Sequence, residues 1–336
     1  MTSLRNVFAS LVCLGMSCLA NAGEIDPYLP NDTEAVVTIN VRQLLDAPLV
    51  KKEALDALQK AMAERGGPLK QLKDLDLDPR KDIDSIVLAT AGSDPDRSLL
   101  IVHGRFEVAK FEAKADELAK AEPRTWSVTK VPDGAGGQYK VLQSTKWVDF
   151  SGTRPALKDK PAYVALADKR VLVASPAKDM VIDALDKGKS RKKPALKSNE
   201  LARLLEKANG KQSIWIAVLP GVIGKFLPLD DDSGIKDELA RIEAISGGIT
   251  VDDEIKLELA LAVKDADVAR ELSTEINEFL NISLTVVAVL SRERRELDAA
   301  LDALKTMKAT TNGNAIILKG AVTPEMIEKA MKKSAN

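Results

Sequence analysis

Glu254-Ile255-Lys256-Leu257-Glu258-Leu259-Ala260-Leu261-Ala262-Val263 places large apolar side chains at every second position, with charged or small residues between them. Successive side chains of an extended chain point to opposite faces, so this stretch reads as a strand with one face built for a core. Ile242 to Val251 precedes it as a second strand, and a helix is expected from about Asp265 to Phe279. A long helix from about Arg292 to Lys308 would set Leu297, Leu301, Leu304 and Met307 on one face. The turn Asn312-Gly313-Asn314, a strand Ala315 to Lys319 and a helix from Pro324 to about Met331 close the chain.

The same order occurs earlier. An apolar run, Ala35 to Val41, leads into a helical segment that Pro48 divides, with the later part ending at Gly66-Gly67-Pro68. Strands follow at Ile83 to Thr90 and Ser98 to Phe106, then a helix over Val108 to Ala121 with Phe111, Ala115 and Leu118 on one face. A ribbon pairs Trp126 to Val131 with Tyr139 to Ser144, and a short hairpin pairs Tyr163 to Ala167 with Arg170 to Ala174. Ser175-Pro176 is expected to cap a helix running to about Leu185. Ser213 to Leu219, Ile242 to Val251, Glu254 to Val263 and the closing strand and helix repeat these units in order. The expected fold is therefore α+β: two related halves from an old duplication, each a mostly antiparallel sheet covered by helices. The competing reading is a single α+β domain whose turns look alike because tight turns favour Gly, Asn and Pro.

The chain opens with an export signal. Arg5 is the only charge before Val7 to Leu19, an apolar core, and Ala20-Asn21-Ala22 offers small residues for cleavage before Gly23. The apolar part is shorter than the roughly 20 residues a spanning helix needs, so no transmembrane segment is expected in the mature chain. Cys13 and Cys18, the two cysteines, both lie in this leader, and Gly15-Met16-Ser17 before Cys18 is a poor lipid-attachment context. The expected division is a signal over residues 1–22, a lead over 23–34, a first α+β domain over 35–186, a basic linker over 187–198 and a second α+β domain over 199–336. Removing the leader takes away Arg5 and no acidic group, so the formal charge moves from −1 to −2.

This inventory excludes much chemistry. With no cysteine after position 18 and one histidine, His103, thiol nucleophiles, sulfur-ligated zinc and His-rich metal sites are all ruled out, and a metal would have to be held by oxygen. Asp74, Asp76 and Asp78 have calcium-loop spacing, but Pro79 stands where Gly is required and Ser85 where a closing Glu should be. Asp230-Asp231-Asp232-Ser233-Gly234 fails the same test at Leu229 and Ala240. Gly134-Ala135-Gly136-Gly137 and Gly221-Val222-Ile223-Gly224-Lys225 lack the pattern of a phosphate loop. Ser175-Pro176-Ala177-Lys178 matches Ser-x-x-Lys, yet its companion motifs are absent and Ser175 has an ordinary task as a cap. His103, on the face opposite Val102 and beside Gly104, reads as a solvent-side or edge residue with no nucleophile elbow to serve. Lys187 to Lys197 carries six basic residues in eleven without an interleaved aromatic, so it reads as a solvated linker and not as a nucleic-acid surface.

Tyr28-Leu29-Pro30-Asn31-Asp32-Thr33, the strand ending in Asn40 and Ala47-Pro48-Leu49-Val50-Lys51-Lys52 resemble the opening of a set of exported proteins of planctomycete bacteria. The likeness spans about 25 residues and implies a bacterial envelope setting; the family brings no assigned activity or catalytic residue. The expectation is a secreted or periplasmic noncatalytic module that binds a protein or an envelope component, with no cofactor, no metal and no catalytic residue. The rival is a hydrolase built on Asp and Glu, with a weakly held divalent cation and His103 as its imidazole. It requires carboxylates, or a carboxylate and His103, to converge in a concave pocket with shifted pKa values.

Overall fold

Strand-forming runs come together in one antiparallel sheet of twelve strands among the described residues. The structure, a computed structural model, describes residues 25–54, 75, 77–92, 94, 96–132, 137–145, 161–190, 193–222, 240–291 and 298–334. In chain order these give β1 (Ala35–Ile39), α1 (Val41–Asp46), α2 (Pro79–Asp82), β2 (Ile83–Thr90), β3 (Ser98–Gly104), α3 (Val108–Ala121), β4 (Trp126–Pro132) and β5 (Gln138–Ser144). They continue with β6 (Ala162–Leu166), β7 (Val171–Ser175), α4 (Lys178–Ser190), α5 (Asn199–Glu206), β8 (Ile214–Val218), β9 (Ile242–Val251) and β10 (Ile255–Val263). The last elements are α6 (Ala266–Leu290), α7 (Asp298–Thr306), β11 (Lys308–Asn312), β12 (Ala315–Val322) and α8 (Pro324–Ser334). A π-helical turn, Val50–Ala54, follows α1.

The sheet order is β11-β12-β10-β9-β8-β1-β2-β3-β7-β6-β5-β4. At its centre β1 pairs with β8, Thr38 opposite Trp215, so the sheet is continuous between the two halves of the chain. Outward from that seam one side runs β1-β2-β3-β7-β6 and the other β8-β9-β10-β12-β11. The ribbon β4-β5 extends the first side and has no counterpart on the second among the described strands.

Register assigns the faces. Directly paired residues share a face, so Val36, Val87, Ile101, Val173, Ala165 and Val141 lie together with Ala217 and Trp215. That face packs under the buried side of α4 (Met180, Val181, Ala184, Leu185) and of α5 (Leu201, Leu204, Leu205). On the opposite face Val102, Leu172 and Leu142 meet Phe111 and Ala115 of α3. The same face, traced through Thr90, Ala35, Val218 and Ile245 to Leu261, meets Ala269 and Leu272 of α6. One face thus carries α3 and α6, and the other carries α4 and α5.

Several local expectations change. The helix expected to stop near Phe279 continues to Leu290, because Asn281 to Leu290 contains no Gly or Pro to end it. Of the helix expected from Arg292, the structure describes Asp298–Thr306, and residues 292–297 lie outside the described residues. Lys308 belongs to β11, a strand that the reading above did not contain; Ala309-Thr310-Thr311 pairs with β12, and Gly313 at φ 59° makes the two-residue turn. Ser175 does not cap a helix. It ends β7, fully buried, where its Oγ donates to the Ser98 carbonyl at 2.7 Å and accepts from Ala177 N at 3.1 Å.

The lead is part of the core. Ile25, Tyr28 and Leu29 are buried in the cluster beneath α4 and α5. Tyr28 lies so close to α4 that a Cβ on Gly188 would sit 2.2 Å from its Cε1. Lys187 and Lys189 belong to α4, the Lys187 ammonium donates to the Leu29 carbonyl at 3.3 Å, and Lys197 N donates to the Asn31 carbonyl at 2.7 Å. Pro194 is buried and Leu196 packs against the core, so the basic run is tied to the lead on both sides.

Candidate functional site

Thr38 and Val36 of β1, Ser85 and Val87 of β2, His103 of β3 and Trp215 of β8 share the α4/α5 face near the seam. Short side chains at Thr38 and Ser85 leave space there, and neither α5 nor the lead fills it. The result is a cavity of about 480 Å³, within the roughly 300–1,000 Å³ of small-molecule sites. Its apolar wall includes Val36, Val87, Leu205, Trp215 and Leu29; its polar groups are Asp26, Thr38, Asn40, Ser85, His103 and Asn209.

Each polar group is set by local structure. Asp26 begins a turn in which its Oδ1 accepts from Tyr28 N at 3.0 Å and its carbonyl accepts from Leu29 N at 3.2 Å. Its free Oδ2 meets His103 Nε2 at 2.7 Å, with side-chain exposures of 13% and 32%. Asn40 follows β1 directly; its Nδ2 donates to the Gln212 carbonyl at 2.5 Å and its backbone N donates to the Ser213 carbonyl at 2.8 Å, fixing the entry of β8. Ser198 caps α5 by accepting from Leu201 N, which aims Leu204 and Leu205 at the sheet and leaves Ala208-Asn209-Gly210 at the rim.

Burial alone would push the imidazole of His103 down. The hydrogen bond and charge of Asp26, with Asp168 adding to them and Arg170 opposing, outweigh it and hold His103 above its usual 6.5. The imidazole is therefore biased toward a charged donor and away from a general base. Its hydrogen bond goes to Asp26 and not to Ser85, although Ser85 is its direct cross-strand neighbour.

The raised value has a stability consequence with a definite sign. A group that binds its proton more tightly in the folded state stabilises that state fully below about pH 6.5, and the contribution is lost as pH rises through the folded value. Wild type should exceed His103→Gln in melting temperature most below pH 6.5, with the gap closing at higher pH. A gap that widens from pH 6 to pH 9 would refute this assignment.

The other sequence candidates do not join this site. Asp78 caps the short α2, accepting from Arg80 N at 3.0 Å, and Arg80 holds its carboxyl below the usual range against the opposing effect of burial. Asp74, Asp76, Asp230 to Asp232, Gly134 to Gly136 and Ile223 to Lys225 lie outside the described residues. Among the described residues no group of three or more His, Cys, Asp or Glu is placed to hold a metal ion. Sequence reading found His103 and placed it on the correct strand, but it missed Asp26, which it treated only as part of the lead. The available signal was Asp26-Pro27-Tyr28-Leu29, an aspartate-led turn with two large apolar residues that need burial.

No protein-family model matches the chain, and no curated protein does either. Among solved structures, crystal form I of TP0453 is similar at 9% identity, covering 93% of this chain and 98% of that one, with a TM-score of 0.44. Crystal form III of TP0453 gives 9% identity, 92% and 98% coverage and a TM-score of 0.46. Crystal form IV gives 10% identity, 92% and 97% coverage and a TM-score of 0.48. A likeness at this level carries no argument about what the chain does. Among the described residues no helix is long and apolar enough to cross a membrane.

Proposed function

We propose that the chain is an exported, noncatalytic binding module of the bacterial envelope and that the cavity at the β1–β8 seam is its ligand site. The leader over residues 1–22 supports export. The observation that carries the binding reading is a preformed cavity lined by an apolar wall with the Trp215 ring and by the chain's one histidine, which is hydrogen-bonded to Asp26. Such a site suits a small molecule with a flat apolar body and an anionic or hydrogen-bond-accepting end. The rival hydrolase reading draws on one observation, that Ser85, His103 and Asp26 line the same cavity. A base biased toward its protonated form and bonded away from the hydroxyl favours binding.

The test uses 8-anilinonaphthalene-1-sulfonate as the probe. One dye should bind per chain, Trp215→Ala should weaken it roughly tenfold, and His103→Gln should remove the loss of affinity seen as pH rises. Dye affinity unchanged in Trp215→Ala would overturn the site, and ester hydrolysis abolished by His103→Gln would overturn the noncatalytic reading. The matching strand order on either side of the seam supports two halves that descend from a duplication. A superposition that cannot carry β1-β2-β3-β7 onto β8-β9-β10-β12 in the same directions would sink that reading.

A further inference from the structure

The second half of α6 is built unlike every other described helix. Its first half is seated on the sheet through Ala269, Leu272 and Ser273, and Leu280 is the last residue it buries before Ser291. From Asn281 to Leu290 no residue is buried, none is charged, and most are apolar. Phe279 is 68% exposed, Ile282 63%, Val286 51%, Val289 56% and Leu290 45%. Their spacing of three, four and three residues, with Leu290 adjoining, puts them along one side of the helix. A soluble surface rarely keeps a continuous apolar stripe of this kind without a use for it.

We infer that this arm is a docking surface for a lipid bilayer, lying in the plane of the headgroup boundary with the stripe turned inward. Two observations choose lipid over a second copy of the chain. The stripe is only about 17 Å long at 1.5 Å per residue. A stable dimer buries about 1,200–2,000 Å² through 20–30 residues a side, which ten residues of one helix do not supply. A bilayer needs no complementary shape, only large apolar side chains with no charge among them. One polar group on the arm needs little water, since Thr285 Oγ1 donates to the Asn281 carbonyl at 3.0 Å, and at the arm's end Ser291 Oγ donates to the Ala288 carbonyl at 3.1 Å. The arm is separate from the seam cavity, and the inference does not rest on what that cavity binds.

The test is flotation of the chain from Gly23 onward, which contains every described residue, with unilamellar vesicles of zwitterionic phosphatidylcholine. The parent chain should float with the vesicles at low and high salt alike, because no charge drives the contact. Ile282→Glu combined with Val286→Glu should lower the partition coefficient at least about tenfold, whereas Ile282→Leu with Val286→Leu should keep it. Both sites are exposed, so thermal unfolding should stay at the parent temperature and separates lost docking from lost fold. The inference is overturned if the Glu variant floats like the parent, or if the parent binds only anionic vesicles and is released by salt. Failure of the parent to bind any vesicle overturns it too, as does a lipid-free parent dimer that the Glu variant dissociates.

Discussion

Gly247→Val is expected to lower the melting temperature by roughly 4–5 °C, the equivalent of about 3 kcal/mol in a chain of this size. Gly247 lies in β9 between β8 and β10, paired with Ile216 on one side and Leu259 on the other. Its φ is 126°, a backbone conformation that side chains with a Cβ rarely adopt. A Cβ there would also lie 2.1 Å from the Glu258 carbonyl oxygen and 2.9 Å from Leu259 Cα, both backbone atoms of the neighbouring strand. Those atoms are held by the β9–β10 ladder, so relief means breaking strand pairing and not turning a side chain. Gly92→Ala is the matched control: φ is 69°, but nothing lies within 4 Å of its Cβ position. It should cost only the local conformational penalty of about 1–2 kcal/mol. Differential scanning calorimetry measures both, and a Gly247→Val protein melting within 2 °C of the parent would refute the crowding account.

Leu29→Ala should cost about 2–5 kcal/mol, the loss typical of removing a fully buried leucine side chain. Leu29 is 1% exposed and packs in the cluster beneath α4 and α5. It also lines the seam cavity, so the shortened side chain should enlarge that space and weaken a ligand's grip. Urea unfolding gives the free energy. A change below about 0.5 kcal/mol, the range of ordinary surface substitutions, would mean that the lead is not part of the core. The effect should exceed that of His103→Gln, because a partly exposed ion pair is screened by water and a buried leucine is not.

The strands were legible because alternation is a local signal. Val108 to Ala121 was legible as a helix for the same reason, with Phe111 and Ala115 on its buried side as expected. β11 was missed because five residues, Lys308 to Asn312, show little alternation, and their pairing with β12 supplies the missing evidence. At the candidate site, His103 stood out by being the sole imidazole, whereas Asp26 was one of 50 acidic residues with nothing local to distinguish it. The two lie 77 positions apart in the chain.

By itself the sequence determined the strands with a core face, much of the element order, and the absence of any cysteine after position 18. Those properties follow from residue type and from periods of two and 3.6, which a short window contains in full. Only the tertiary structure decided that β1 and β8 join the halves into one sheet, that the lead closes a cavity over His103, and that half of α6 stays uncovered. Each depends on which faces meet after the chain has folded back on itself. An apolar side chain carries the same pattern whether its neighbour is a core, a ligand or solvent.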